Sequence, residues 1–387
     1  MNFELTDEQQ QLADALRKFL ANSYGFEQRK AILASASGVS DSAWATLCEM
    51  GLTAIAVPEA DGGFGGGAAD LMAAMEACGE ALVVEPLLDH LAAGRLLARA
   101  GSAAQKAALM AGVVDGSQRL ALALLEPGHR YDLLPRATTA RAEGSAWVLD
   151  GAKTVVIGAP GAHTLVVSAR TGGASDDDEG ASLFLVLANA PGLAMSPCRT
   201  VDGQRAAEVS FSGVKLPAEA LLGEAGDALP LIDEAVDFAT ALLCADAVGA
   251  MGYANETTLE YIKTRKQFGV AIGSFQALQH RMVEMVICTE QARSMAIRAV
   301  AAVDDAAAGS LSARERGRTV SAAKIKIADA ARQVSQEAVQ LHGGMGMTEE
   351  LKVSHTFRRL TMAIQRFGDA DHHLERYAAL DAALDAA

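Results

Sequence analysis

Three stretches constrain the fold more than anything else in this sequence: Ile232–Tyr261, Ser274–Ala307 and Ala313–Leu341. Each reads as one helix longer than a globular domain usually carries, and such helices hide their apolar stripes by packing on one another. A helical bundle is therefore expected from about residue 226 onward. Residues 1 to about 118 also read as helices. Thr6-Asp7-Glu8 opens one, with Leu12, Leu16 and Leu20 four residues apart on one face; Ser40-Asp41 opens another that stops at Gly51. Segments 68–79 and 85–100 are rich in Ala, Leu and Met, as helices packed on helices tend to be, and the glycine cluster of residues 62–67 reads as a loop.

Between about 119 and 222 the pattern changes to short apolar or alternating runs: Leu120–Leu125, Ser145–Leu149, Val155–Ile157, Thr164–Ser168, Ser182–Leu187 and Ala207–Phe211. Asp150-Gly151, Ala159-Pro160-Gly161 and Pro191-Gly192 read as turns, and Ser175–Gly180 as a solvated hairpin tip. No long helix interrupts this zone, so a small antiparallel barrel or sandwich is expected rather than alternating βαβ units. The fold class is α+β in three parts: an N-terminal α-helical domain (1–118), a middle β domain (119–222) and a C-terminal helical bundle (223–387).

Composition narrows the function. With 33 Lys+Arg against 48 Asp+Glu the net charge is −15, which argues against a nucleic-acid partner, since such proteins carry a basic footprint. It leaves room for an anionic small ligand held by a few local cations. Half the residues are hydrophobic, enough for a sizeable core. The five cysteines are scattered, without CxxC or Cys/His ligand spacing, and read as reduced thiols in a cytoplasmic protein. The acidic amphipathic start lacks the features of a signal peptide, and no uncharged apolar run approaches about 18 residues, so no membrane span is expected.

Some suggestive patterns carry little. The glycines of 62–67 do not form GxGxxG and follow no strand, so they are not read as a dinucleotide fingerprint. GxSxG is absent. Asp369-Ala370-Asp371-His372-His373 offers four possible metal ligands, but neighbours on a helix face different directions; it reads as a helix start or polar interface, and no metal site is expected. Two stretches say more. In Tyr261-Ile262-Lys263-Thr264-Arg265-Lys266-Gln267-Phe268-Gly269, a helix ends in basic residues and turns, restarting after Gly273-Ser274 with Phe275, Gln276 and Gln279. An Arg with a Gln and an aromatic at such a turn suits a pyrophosphate; the same residues equally suit a helix C-terminus favoured by its dipole. The second stretch, Gln340-Leu341-His342-Gly343-Gly344-Met345-Gly346-Met347, either lets a ligand approach the backbone or simply stops a helix.

Together, in this order and separation, RKQFG-x3-G-x-FQ and QLHGGMG resemble the acyl-CoA dehydrogenase family. The resemblance covers essentially the whole chain, including Pro58-Glu59 before Gly62-Gly63 and Glu126-Pro127-Gly128 at the start of the β zone. The terminal Phe-Gly-Asp-Ala-Asp-His-His run is similar to small subunits of the pimeloyl-CoA dehydrogenase type. The family resemblance implies a helical domain, a β-barrel-like domain and a four-helix bundle assembled as tetramers. It also implies FAD between subunits, oxidation of acyl-CoA to a 2-enoyl-CoA, and an electron-transfer flavoprotein as acceptor. A carboxylate base would take the α-proton while hydride leaves the β-carbon for the flavin.

Carried over residue by residue, the resemblance divides. The parts that reach an FAD bound mainly by a neighbouring subunit are all present: Arg265, Phe268, Gln276, Gln340, Gly343 and Gly344. The parts that hold a subunit's own isoalloxazine are eroded. Leu125 stands where the family has Thr, Tyr131-Asp132 where it has Ser-Asp, and Lys153-Thr154-Val155-Val156-Ile157-Gly158 where it has Lys-x-Trp-Ile-Thr-Asn. The two family positions for the Glu base hold Phe367 and Ala239, the following flavin-contacting Thr falls on Asp369, and the acids left as substitutes are Asp246, Asp369 and Asp371. The resemblance thus implies a chain lacking the catalytic Glu and paired with a homologous large subunit (α2β2). The alternatives are a flavin-free structural or CoA-binding subunit, or a self-sufficient homotetramer with a relocated base.

Overall fold

The computed structural model describes residues 5–385; residues 1–4, the start of the acidic N-terminal segment, lie outside them. Six helices come first: α1 (Asp7–Ser23), α2 (Phe26–Ala34), α3 (Asp41–Glu49), α4 (Ala68–Ala81), α5 (Leu87–Ala100) and α6 (Ala103–Val114). Eight strands follow: β1 (Leu120–Ala123), β2 (Thr139–Glu143), β3 (Ala146–Ile157), β4 (Thr164–Arg170), β5 (Ala181–Leu187), β6 (Leu193–Arg199), β7 (Arg205–Pro217) and β8 (Leu221–Leu222). Helix α7 (Leu229–Thr264) leads into a tight hairpin, β9 (Lys266–Gln267) and β10 (Val270–Ala271), and then α8 (Gln276–Ala307), α9 (Ala313–His342), α10 (Lys352–Gln365) and α11 (Ala370–Asp385). The chain forms two compact units, each drawn from separated stretches. One comprises residues up to 29, 68–83 and 240 onward; the other comprises 30–67 and 84–239.

The first unit is helical. Thr6 caps α1 through a reciprocal capping box with Gln9, satisfying two otherwise orphaned backbone donors. Along α9 the buried positions Val320, Ala323, Ile327, Ala331, Val334 and Ala338 recur every three or four residues and face α8, α10 and α11. Helices α4 and α7 cross with their backbones almost touching. A Cβ added at Gly79 would fall 1.8 Å from the Asp246 carbonyl oxygen, and one at Gly249 would fall 1.9 Å from that of Glu76. Nearby, Arg359 grips the buried Asp246 carboxylate with two hydrogen bonds of 2.9 and 2.6 Å. Helix α7 is long and apolar enough by length and composition to cross a membrane, although charged residues such as Asp237 and Asp246 interrupt it, so no uncharged run in it approaches about 18 residues. Yet 94% of that window is buried inside the protein, as in a core helix.

The second unit centres on one sheet ordered β6-β7-β3-β2-β4-β5-β8, with β1 pairing β4. Most pairs are antiparallel; β1 and β2 run parallel to β4. Asp150-Gly151 is not a turn. Strand β3 runs through it with a register shift, and Asp150 Oδ1 accepts the Gly213 N–H at 2.7 Å. The Ser175–Gly180 run does lie in the exposed connection of the β4–β5 hairpin. Ser40 caps α3, whose run ends before Gly51 at φ 82°. Helix α5 is buried, and its His90 has a fixed tautomer: Nδ1 accepts the Leu120 N–H at 3.1 Å, so Nε2 donates to the Val113 carbonyl at 2.9 Å. Burial pulls the His90 pKa down to about 4.

Candidate functional site

The two informative stretches meet at one end of the helical unit. Helix α7 runs out at Thr264, and Arg265 N–H still bonds back to the Tyr261 carbonyl at 2.8 Å. Phe268 and Gly269 then take φ of 56° and 83°, the left-handed pair that a two-residue hairpin needs, and this turns β9 into β10. The strained corner pushes Phe268 into solvent, 91% exposed, with the Phe275 ring edge-on at 6.3 Å. Gln276 opens α8 beside it. From the other side α9 ends at His342, and Gly343 adopts φ 61°. The His342 ring stacks on Tyr261 with centroids 4.3 Å apart, which joins the two motifs.

Arg265, Phe268, Gln276, Gln340, Gly343 and Gly344 are all exposed at this end. No side chain of the described residues pairs with the Arg265 guanidinium. At Gly269, Gly343 and Gly344 a Cβ would meet nothing within 4 Å, so the backbone lies open to a ligand. Gly346 differs: its Cβ would strike the Val339 carbonyl at 2.7 Å, so that glycine serves packing. An open backbone cradle with a free guanidinium and an exposed aromatic fits the pyrophosphate and adenosine side of FAD.

The sheet unit presents the opposite case. At the β3 bulge Val155 takes φ 48° and is 42% exposed, with no ring to stack on a flavin. The Thr154 hydroxyl and the Val155 N–H both donate to Glu208 Oε1, at 2.8 and 3.2 Å, so a carboxylate already occupies these donors. Asp132, the one matching side chain of its motif, is tied to Arg136 at 2.6 Å and caps Leu134. These residues do not fit an isoalloxazine.

Glu126 and Lys153 form a buried knot that sequence reasoning passed over. Lys153 Nζ donates to Glu126 Oε1 at 2.9 Å, the Leu124 carbonyl at 3.0 Å and the Ser168 hydroxyl at 3.0 Å, while Glu126 accepts the N–H groups of Arg136, Ala137 and Thr138. Burial pushes the Glu126 carboxyl up, but the ammonium and the N–H donors outweigh it and bring it to about 2. For Lys153, burial wins over its partner and lowers the pKa to about 8. Four donors converge on Glu126, the Lys153 ammonium and three N–H groups, and they hold the carboxylate ionised.

Phe and Ala stand at the two positions where the resemblance leads one to look for a base. Ala239 is fully buried. Phe367 sits at the α10–α11 corner with φ 57°, and the Arg366 guanidinium lies 4.8 Å from its ring centroid. The corner is held from beneath: Lys324 Nζ donates to the Ile364 and Gly368 carbonyls at 3.0 and 2.6 Å, and His373 Nε2 meets the Phe367 carbonyl at 3.0 Å. Burial lowers the Lys324 pKa to about 8. The substitute acids are engaged or remote. Asp246 is clamped by Arg359, Asp369 Oδ1 accepts the His372 N–H to start α11, and Asp371 is exposed. Lys324 had a sequence signal that went unread, a lysine on the apolar stripe between Val320 and Ile327. Among the described residues no three His, Cys, Asp or Glu side chains gather as a metal would require.

Comparisons with known proteins agree along the whole chain. Family models match in chain order: acyl-CoA dehydrogenase N-terminal domain over residues 6–117, middle domain over 121–214 and C-terminal domain over 229–379. The acyl-CoA dehydrogenase FadE12 of Mycobacterium tuberculosis is 31% identical over 361 residues, covering 91% of this chain and 90% of that protein. A steroid acyl-CoA dehydrogenase structure, Tcur3481-Tcur3483, superposes with a TM-score of 0.87 at 31% identity, covering 98% of this chain and 99% of that one. The ChsE4-ChsE5 complex of Mycobacterium tuberculosis gives 0.87 at 25% identity, with 99% of each chain covered.

Proposed function

The chain belongs to the acyl-CoA dehydrogenase family, and on that premise we propose that it is one subunit of a heteromeric FAD-dependent enzyme whose catalytic Glu lies on a homologous partner chain. The observation that carries this reading is the split within one sequence. The motif toward a neighbour's FAD is complete and exposed, whereas Val155, Glu208, Phe367 and Ala239 replace or occupy what a self-contained site would use. Two of the similar structures, Tcur3481-Tcur3483 and the ChsE4-ChsE5 complex, carry paired names, which supports a paired assembly.

FAD, when bound, supplies the hydride acceptor for oxidising an acyl-CoA to its 2-enoyl-CoA. This chain's part is to bind and orient. Arg265 pairs with the pyrophosphate, the Gln276 and Gln340 amides offer hydrogen bonds, and Gly343-Gly344 admits the ligand to the backbone. Phe268 shields the charged contact from water, which strengthens it. The α-proton has no acceptor at Phe367 or Ala239 and goes to the partner's carboxylate. An electron-transfer flavoprotein is the proposed acceptor.

Visible absorbance of the chain expressed alone, and again with its homologous partner, tests the proposal. Colourless single chain and a yellow, active complex support it. Yellow, active protein from this chain alone would establish the self-sufficient homotetramer instead. A complex without flavin would establish the structural or CoA-binding subunit.

A further inference from the structure

Within the helical unit, α1, α4, α7 and α10 line a cavity of about 480 Å³ whose walls include Arg17, Glu80, Tyr253, Glu256, Glu260 and Lys352. Lys352, in the first turn of α10, is half-buried, and its Nζ lies 3.8 Å from the centre of the Tyr253 ring. No oxygen of the described residues accepts a hydrogen bond from that ammonium. A ring face steadies an ammonium but leaves its donors, and after deprotonation its lone pair, turned to whatever enters the cavity.

We propose that Lys352 is an acylation site, where the side-chain amine takes the acyl group of an acyl-CoA. The neutral amine attacks the thioester carbonyl carbon, the new C–N bond forms as the C–S bond breaks, and CoA leaves as the thiol carrying one amine proton. The product is an amide, and the cavity lining, which includes Glu80, Glu256 and Glu260, loses a cation while Arg17 remains. The choice of donor rests on the dehydrogenase reading; the amine lining the cavity does not.

Three lysines share a pKa lowered to about 8 by burial: Lys153, Lys324 and Lys352. At Lys352 burial acts first, Glu80 opposes it, and Arg29 adds to it. Geometry separates the three. Lys153 and Lys324 are enclosed and each donates to two or three oxygens, whereas Lys352 opens to a cavity. A fall from about 10.4 to about 8 multiplies the neutral amine roughly two-hundredfold at pH 7.5. Nucleophilicity falls with basicity and removes part of this, leaving about a tenfold lead over an ordinary lysine.

The test is peptide mapping by mass spectrometry after the purified protein is incubated with acetyl-CoA at pH 7.5, with Lys18 and Lys266 as exposed comparators. The expected result is label at Lys352 about tenfold faster than at either comparator, none at Lys153 or Lys324, and loss of that label in Lys352→Arg. Equal or faster labelling of Lys18 or Lys266 overturns the proposal. So does label at Lys352 from an N-hydroxysuccinimide acetyl ester but not from acetyl-CoA. The readout needs no flavin and no turnover, so its failure is separate from failure of the subunit reading, which flavin content decides.

Discussion

The Tyr261 and His342 rings lie 4.3 Å apart and 27° from parallel, one at the end of α7 and the other at the end of α9. This stack sets the distance between the Arg265 turn and the Gly343-Gly344 loop. His342 Nδ1 meets the Ala338 carbonyl at 2.8 Å, and burial lowers the ring's pKa, which favours its neutral form. Replacing Tyr261 by Ala removes an aromatic contact of about 0.5–1.5 kcal/mol and loosens both motifs. FAD dissociation from the two-chain complex, followed by flavin fluorescence, should weaken about threefold to tenfold, while Tyr261→Phe stays within about twofold.

Arg265 has a sharper expectation. Its exposed guanidinium has no protein partner among the described residues, so its removal should cost the fold little. A lost charge-assisted contact to pyrophosphate is worth about 1.5–3 kcal/mol. Arg265→Ala should therefore weaken FAD binding by roughly 10- to 100-fold with an unchanged urea midpoint. Unchanged flavin content would remove the assigned role.

Phe367, at a position where the resemblance leads one to look for a base, sits on a corner that Lys324 and His373 hold. If the reaction runs on the partner's carboxylate, Phe367→Leu leaves kcat of the complex within about twofold. Steady-state turnover checks this, and a loss beyond about tenfold would place the corner in the reaction.

The neutral His90 gives a pH dependence with a definite sign. Its folded pKa of about 4 lies below the unfolded value near 6.5, so the unfolded chain binds the extra proton as pH falls. This contribution is fully present above pH 6.5 and is lost as pH falls from there toward 4. At pH 5 the loss is about 2 kcal/mol. Urea midpoints at pH 7.5 and 5 should show it, and His90→Gln, though less stable at pH 7.5, should have the shallower acid slope.

The α4–α7 crossing tolerates no side chain. A methyl at Gly249 would sit 1.9 Å from a backbone oxygen that cannot swing away, so Gly249→Ala forces the helices apart. An overpacked core of this kind costs about 1–3 kcal/mol or more, and thermal unfolding should drop by several degrees.

Local signals carried much of this fold. Thr6 and Ser40 cap where hydroxyls at helix starts are expected to, and the three long C-terminal helices follow their apolar periodicity. Strands β2 and β6 were illegible for the complementary reason. Four of five residues in β2 are exposed, and β6 is an edge strand with no buried residue, so neither shows a buried face in its pattern. Asp150-Gly151 misled because turn chemistry and bulge chemistry use the same residues.

By itself the sequence laid out the helical and sheet zones, because apolar periodicity is local, and through the resemblance of two motifs it pointed to the family. Only the tertiary structure decided which charges are engaged. Asp246, one of the acids left as a substitute base, is clamped by Arg359; Glu208 fills the donors of the β3 bulge; and of two lysines that burial brings to a similar pKa, Lys324 holds a corner while Lys352 lines a cavity. A charge's chemistry depends on what lies within a few ångströms of it, and those neighbours are far away along the chain.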